Sequence, residues 1–311
     1  MRIGVIDIGT NTILLLVVDV DENGIVRTVH DEQVIARLGK GVDEHRVIND
    51  ETLRRVSGFI ETYLSTCRAL KTEKVIAVGT SALRDAANRR EFCDFMYRSH
   101  GLQIEILSGD DEAQWTFRGA LSANRNPEGM FTVLDIGGGS TEIILGNTAR
   151  IVKKTSLDIG CVRISERMFR SLPPSEQMLA DSQKLIRTAL SSCDLGGISF
   201  SVAIGVAGTV TTLAAIALNL QQYDPSRVEG FVLSVEDVKG EFDRLKKYTL
   251  EETTAIRQIS PGRADIILAG VLVLLEFMTA AGLKKIAASD RGLRYGIALR
   301  EVEKNRSFHL N

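Results

Sequence analysis

The chain carries one short pattern twice. Asp7-Ile8-Gly9-Thr10-Asn11-Thr12 near the N-terminus is matched by Asp135-Ile136-Gly137-Gly138-Gly139-Ser140-Thr141, 128 residues further on, and each follows a β-branched apolar run. In both, an apolar strand (3–6, 131–134) ends in an aspartate, passes through glycines and hydroxyls, and gives way to a second apolar strand (13–18, 143–145). Strand, tight turn and strand again predict a β-hairpin, not the strand-to-helix turn of a P-loop. Two matching hairpins restrict the fold to two matching halves.

Such a turn offers an arc of backbone N–H groups that glycine lets approach an anion, with Ser/Thr hydroxyls as further donors. Phosphate suits it. The aspartate at the strand end repels a bare phosphate, so the pattern makes sense chiefly with a hard cation such as Mg²⁺ between carboxylate and phosphate oxygens. One copy is ordinary hairpin chemistry; two copies facing each other across a cleft form a phosphate clamp. Its expected members are Gly9, Thr10, Asn11 and Thr12 on one side, and Gly137, Gly138, Gly139, Ser140 and Thr141 on the other.

At 311 residues the chain is long enough for two domains, each with its own core. Its 38 basic and 40 acidic residues leave a net charge of −2, which argues against general attraction to nucleic acid or anionic membrane. Cys67, Cys93, Cys161 and Cys193 are scattered with no metal-ligand spacing, as expected of reduced thiols in a cytoplasmic protein. The longest apolar run, 266–275, is about half the roughly 20 residues a membrane helix needs. The N-terminus opens on a strand rather than a signal peptide. Four histidines without clustering point away from histidine-based metal chemistry.

After the first hairpin, Gly24 reads as a turn, 25–29 as a third strand and 34–38 as further strand. Leu53, Val56, Ile60, Tyr63, Leu64, Cys67 and Leu70 recur at helical spacing over 51–70, with Asn49 or Asp50 placed to cap. Strand 74–78, helix 88–99, strand 104–107 and helix 110–123 follow. The polar stretch 124–129 is the linker candidate. The second half repeats a meander over 133–145 and 151–156. It continues with helix 175–191, buried strand 201–206, helices 209–220, 235–247 and 264–281, strand 285–288 and a final helix from 293. The fold class is α/β: mixed sheets with crossover helices. A duplicated meander-plus-helices unit around a central cleft resembles the plan of the actin-like superfamily, which implies two actin-like (ribonuclease H-like) domains. The boundaries are 1–125 and 126–311, with the final helix, about 293–311, able to pack back on the first domain.

Further candidates lie at strand ends, where α/β folds bind ligands. Thr80-Ser81-Ala82-Leu83-Arg84 directs Arg84 to the cleft, where it could grip a phosphoryl group; as a local feature it is equally an arginine in a first helical turn. Asp110, Asp111 and Glu112 open a helix, a place the helix dipole favours for acids, and also a place from which a carboxylate could activate water. Glu112 reaches furthest and is the candidate base. Gly205-Val206-Ala207-Gly208-Thr209 is a third glycine turn at a helix N-terminus, making Gly208 and Thr209 phosphate-binding candidates. Ser289-Asp290-Arg291-Gly292-Leu293-Arg294 sets two arginines beside glycine. For both segments the structural and ligand readings stand level.

Taken in order, these pieces, with Leu134-Asp135-Ile136-Gly137-Gly138-Gly139-Ser140-Thr141-Glu142 and Ile159-Gly160-Cys161-Val162-Arg163, resemble the exopolyphosphatase and guanosine pentaphosphate phosphohydrolase (Ppx/GppA) family across nearly the whole chain. The resemblance implies a phosphoanhydride hydrolase releasing terminal orthophosphate from inorganic polyphosphate or guanosine pentaphosphate. It implies Glu112 as catalytic base and Arg84 as transition-state arginine. It implies Mg²⁺, or Mn²⁺ in its place, at Asp135 and Glu142 with Asp7 nearby. No nucleic-acid or membrane partner is expected, and a homodimer is compatible with the family. An ATP-dependent actin-like kinase and a non-catalytic phosphate or alarmone sensor are the rival readings. Thr10 and Thr12 replace the family's commoner serines, Gln114 replaces a frequent basic residue, and Tyr295 stands where several relatives carry an acid. Longer relatives add a helical C-terminal region beyond the equivalent of Asn311, which favours shorter substrates here.

Overall fold

Both repeats fold as hairpins. In the computed structural model, which describes residues 1–21, 25–123, 129–193 and 202–309, β1 (Arg2–Ile8) pairs antiparallel with β2 (Thr12–Val20), setting Asp7 opposite Leu14. The expected turn at Gly24 and the linker, all but Gly129, lie outside the described residues. The chain forms two compact units, Met1–Asn124 with Arg291–Asn311, and Arg125–Asp290.

In the first unit β3 (Val26–Ile35) completes the meander as one strand. It joins the stretch read as 25–29 to the first two residues of the one read as 34–38, because the intervening polar residues lie on a sheet edge where exposure costs little; residues 36–38 leave the strand, Arg37 among them being in a left-handed conformation. Next come α1 (Val42–His45), α2 (Asp50–Ala69), β4 (Lys74–Gly79), α3 (Ser81–Asp85), α4 (Arg89–His100), β5 (Ile104–Ile106) and α5 (Gly109–Ala120). The Asn49 side chain caps α2, accepting from Thr52 N at 2.8 Å. Strand order is β3-β2-β1-β4-β5, with β4 parallel to β1 and β5 parallel to β4.

The near-continuous apolar runs of β1 and β2 are explained by cover on both faces. Ile6, Ile8, Ile13, Leu15 and Val17 pack with Val56, Ile60 and Tyr63 of α2 and with Phe92 and Met96 of α4. Alternate residues Ile3, Val5, Leu16 and Val18 face the other way, against Leu293, Tyr295, Ile297 and Ala298. By the same alternation Asp7 shares the face of Ile3 and Val5.

The second unit holds β6 (Phe131–Ile136), β7 (Thr141–Gly146), β8 (Ile151–Leu157), α6 (Cys161–Met168), α7 (Glu176–Ser191), β9 (Val202–Val206), α8 (Ala207–Ala217) and α9 (Pro225–Val228). It continues with β10 (Val232–Ser234), α10 (Val235–Leu245), α11 (Leu250–Thr254), α12 (Ile267–Ala280) and β11 (Lys285–Ala288). Its sheet runs β10-β11-β9-β6-β7-β8. From the far edge this is again meander, first parallel neighbour, second parallel neighbour, with β10 added antiparallel. Helix α12, apolar nearly all round, sits inside the unit's core.

The chain then returns to the first unit. α13 (Leu293–His309) crosses α5 at backbone contact: a Cβ on Gly119 would fall 1.9 Å from Gly292 O, and one on Gly296 would fall 1.8 Å from Trp115 O. Arg300 grips Glu105 through two bonds of 2.8 and 2.6 Å, and Lys74 pairs with Glu301. Among the described residues no helix is long and apolar enough to cross a membrane.

Candidate functional site

In the first unit, the turn after β1 closes with Gly9 N donating to Thr12 O at 3.1 Å. The carbonyls of Thr10 and Asn11 accept from Gly39 N and Arg37 N, both at 2.8 Å. Arg37 holds that position with φ +48°, a left-handed conformation uncommon outside glycine. The Thr10 hydroxyl meets Ser81 Oγ at 2.8 Å, tying the turn to the start of α3.

One turn along α3, Arg84 donates through Nη1 to Leu107 O at 3.1 Å and to the Glu112 carboxylate. Glu112 lies in the first turn of α5, which Ser108 caps by accepting from Asp111 N at 3.1 Å. Of the three consecutive acids only Glu112 is buried, at 8% exposure; Asp110 and Asp111 are exposed in the first turn, where the helix dipole favours acids, and Asp111 also accepts from Ser108 Oγ at 2.6 Å. Burial pushes the Glu112 carboxyl above its ordinary range, and the Arg84 guanidinium pulls the other way. The outcome is a carboxylate more basic than a solvated one, fixed in direction by its arginine.

In the second unit the equivalent turn closes in the same way, Gly137 N to Ser140 O at 3.0 Å. Its carbonyls are taken by the start of α6. Cys161 N reaches Gly137 O at 2.9 Å, Val162 N and Arg163 N reach Gly138 O at 2.8 and 3.1 Å, and Gly160 N reaches Gly139 O at 3.2 Å. Arg163 Nε adds a bond to Gly139 O at 2.7 Å. With the carbonyl edge consumed, the amides of Gly138 and Gly139 take no acceptor among the described residues. Gly160 is required by this packing, since a Cβ there would lie 2.3 Å from Gly138 C.

Across the hairpin, Asp135 is paired directly with Glu142, and Glu142 in turn with Ser156 on β8. Ser156 Oγ donates to Glu142 Oε1 at 2.7 Å, and Glu142 is fully buried. Two carboxylates at facing strand positions repel each other unless a cation lies between them. Mg²⁺ takes one or two carboxylates and fills its octahedron with water and phosphate oxygens, so this pair fits it. The third expected carboxylate, Asp7, lies near the end of β1 of the first unit, in register with Leu14, and among the described residues no group of three potential ligands forms.

Other expected donors are otherwise engaged. The Thr141 hydroxyl is buried and donates to Ile159 O at 2.8 Å, serving the loop before α6. The Thr209 hydroxyl packs on α12, 2.2 Å from where a Cβ of Gly270 would stand, so Gly208 and Thr209 present backbone at the α8 N-terminus. Ala207 enters that helix at φ +66°. Arg294, for which the structural and ligand readings stood level, is paired with Asp31 and directed at Leu15 O. Arg291 lies over the Tyr295 ring at 5.0 Å. Tyr295 itself is buried and bonds Thr28 at 2.8 Å, so the departure from an acid there is a matter of core packing.

Arg263 was not foreseen. Its guanidinium lies against Gly208, Cζ being 2.7 Å from where a Cβ would stand, and it interacts electrostatically with Cys161, Tyr223 and Asp290. It therefore sets a cation beside both the α8 N-terminus and Cys161, whose N–H holds the Gly137 carbonyl of the glycine turn. The available signal was an arginine in a Pro-Gly loop ahead of a nearly all-apolar helix. Burial raises the Cys161 thiol to about 11, so it stays protonated at neutral pH.

Fold and site together define a duplicated α/β protein in which each unit runs a meander followed by two parallel strands, with a glycine-bearing turn after its first strand. The chain belongs to the Ppx/GppA phosphatase family, whose model matches residues 16–305. Exopolyphosphatase 2 of Mycobacterium tuberculosis is 35% identical over 96% of this chain and 98% of its own length. A guanosine-5'-triphosphate,3'-diphosphate pyrophosphatase of Vibrio parahaemolyticus is 30% identical over 89% of this chain and 56% of its own. The crystal structure of an exopolyphosphatase from Cytophaga hutchinsonii matches with a TM-score of 0.91 at 27% identity, covering 98% of each chain.

Proposed function

We propose that this chain is a cytoplasmic phosphoanhydride hydrolase that releases terminal orthophosphate from inorganic polyphosphate or guanosine pentaphosphate. The observation that carries the reading is the buried Glu112 held by Arg84, a base and a cation at two strand ends. Named relatives of both substrate types support the class of reaction.

Glu112 accepts the proton of the attacking water, its basicity raised by burial and its orientation fixed by the guanidinium. Arg84 releases part of that hold to the transferring phosphoryl, whose equatorial oxygens gain charge as the bond breaks. The Gly138 and Gly139 amides hold phosphate oxygens without reorganising, since helix α6 already fixes their carbonyls. Mg²⁺ held at Asp135 and Glu142 would neutralise phosphate charge. Orthophosphate leaves and the shortened chain remains.

Phosphate release by Glu112→Gln tests this directly on polyphosphates of defined length and on guanosine pentaphosphate, in parallel. The amide keeps a hydrogen-bond acceptor for Arg84 but cannot take a proton, so the rate should fall at least ~100-fold on the true substrate. A variant as fast as the parent on both removes Glu112 from the role.

A further inference from the structure

Three residues with no part in the site above form a second reactive arrangement in the first unit. Ser57 and Glu61 are four apart on α2 and so share a helix face. His100 ends α4, with Nε2 2.7 Å from Ser57 Oγ and Nδ1 3.0 Å from Glu61 Oε2. The other Glu61 oxygen accepts from Arg68 Nη2 at 3.1 Å. Arg68 first, and His100 second, hold the Glu61 carboxyl below its ordinary range, so it is an ionised acceptor.

The hydrogen-bond directions follow from these partners. An ionised carboxylate can only accept, so Nδ1 carries the proton of a neutral imidazole and Nε2 presents its lone pair to the serine hydroxyl. The order is nucleophile, base and orienting acid. The His100 side chain is 8% exposed, which keeps it fixed, while Ser57 is half-buried and within reach. Beside it Gly58 is exposed, and a Cβ there would meet nothing within 4 Å.

We propose that Ser57 is an activated nucleophile and a covalent acylation site for activated carboxylic esters. Ser57 Oγ bonds to the acyl carbon as the bond from that carbon to the leaving oxygen breaks. The hydroxyl proton passes to His100 Nε2 and from there to the departing oxygen. Glu61 is a positioning residue that fixes the imidazole tautomer. The amides around Ser57 are committed to the α2 ladder, so no oxyanion hole assists the attack of water on the acyl-serine. The acyl group therefore stays, and the chemistry is one addition per chain rather than turnover.

The test uses the full chain with p-nitrophenyl acetate. The expected result is a burst of about one p-nitrophenolate per chain and an acetyl group mapped to Ser57 by peptide mass spectrometry. Ser57→Ala should abolish that adduct, and His100→Gln should slow the burst at least ~100-fold. Glu61→Gln should slow it with no change in far-UV circular dichroism. Because none of the three belongs to the phosphate site, phosphate release monitors folding in each variant. A wild-type chain acetylated only on lysines, or a burst of unchanged rate in His100→Gln, overturns the proposal.

Discussion

Replacing Arg84 by methionine removes the charge facing Glu112 while keeping much of the side-chain volume. The two side chains are 21% and 10% exposed, so water screens the pair only weakly. The abandoned carboxylate has two routes. It stays charged and buried, at the ~3–5 kcal/mol typical of a broken buried pair, or it takes up a proton. Starting from the ordinary carboxyl value of 4.5, uptake at pH 7 costs roughly 3.4 kcal/mol at about 1.4 kcal/mol per pH unit, which caps the loss near there. At pH 5.5 the same cap falls to about 1.4 kcal/mol.

The sign follows from linkage. Burial raises the folded-state value of Glu112, and loss of Arg84 raises it further, so the folded variant binds the proton more tightly than the unfolded chain does. Its extra instability is therefore largest at neutral pH and fades as pH falls toward the unfolded value. Urea unfolding of parent and Arg84→Met at pH 7 and 5.5 measures this. The double variant Arg84→Met/Glu112→Gln should recover most of the loss, since no charge is left to bury. Equal destabilisation at both pH values, or a double variant as unstable as the single one, refutes the reasoning.

Ser156→Ala removes the hydroxyl that orients Glu142, so half-maximal Mg²⁺ in the phosphate-release assay should rise about tenfold; an unchanged requirement counts against Glu142 as a metal carboxylate. Gly160→Ala forces the glycine turn to shift, and phosphate release should fall at least ~100-fold, a loss of the size seen when one preorganised donor is removed. By contrast Gly58→Ala, in open space on α2, should raise stability by ~0.5–1 kcal/mol with activity unchanged. Tyr295→Phe deletes the bond to Thr28 and should cost about 1 kcal/mol in thermal unfolding, leaving the turnover rate alone.

What could be read in advance was whatever the local pattern encodes. The two hairpins follow from apolar runs flanking Asp-Ile-Gly, and their closure bonds keep the same 128-residue offset as the sequence repeat. Asn49 announced α2 through its side chain, whereas the burial of Glu112 beside two exposed acids depends on the packing of α5 and has no local signal. Short elements such as α6 and β10 escaped because a few residues carry no period, and their stability comes from what they pack against. Long-range partners escaped too. Nothing near Arg294 in sequence indicates Asp31, and nothing near Arg263 indicates Gly208. Ala207 adopts a backbone conformation that its residue type disfavours, so no propensity argument could reach it.

The return of the chain at Arg291 has a consequence for synthesis. The second unit is one uninterrupted stretch and can fold as soon as Asp290 clears the ribosome. The first unit cannot finish, because Ile3, Val5, Leu16 and Val18 have no cover until Leu293, Tyr295, Ile297 and Ala298 arrive. The half made first is thus the half completed last. During that interval an apolar sheet face is open to chaperones, and errors in translation near the C-terminus strike the packing of the N-terminal half.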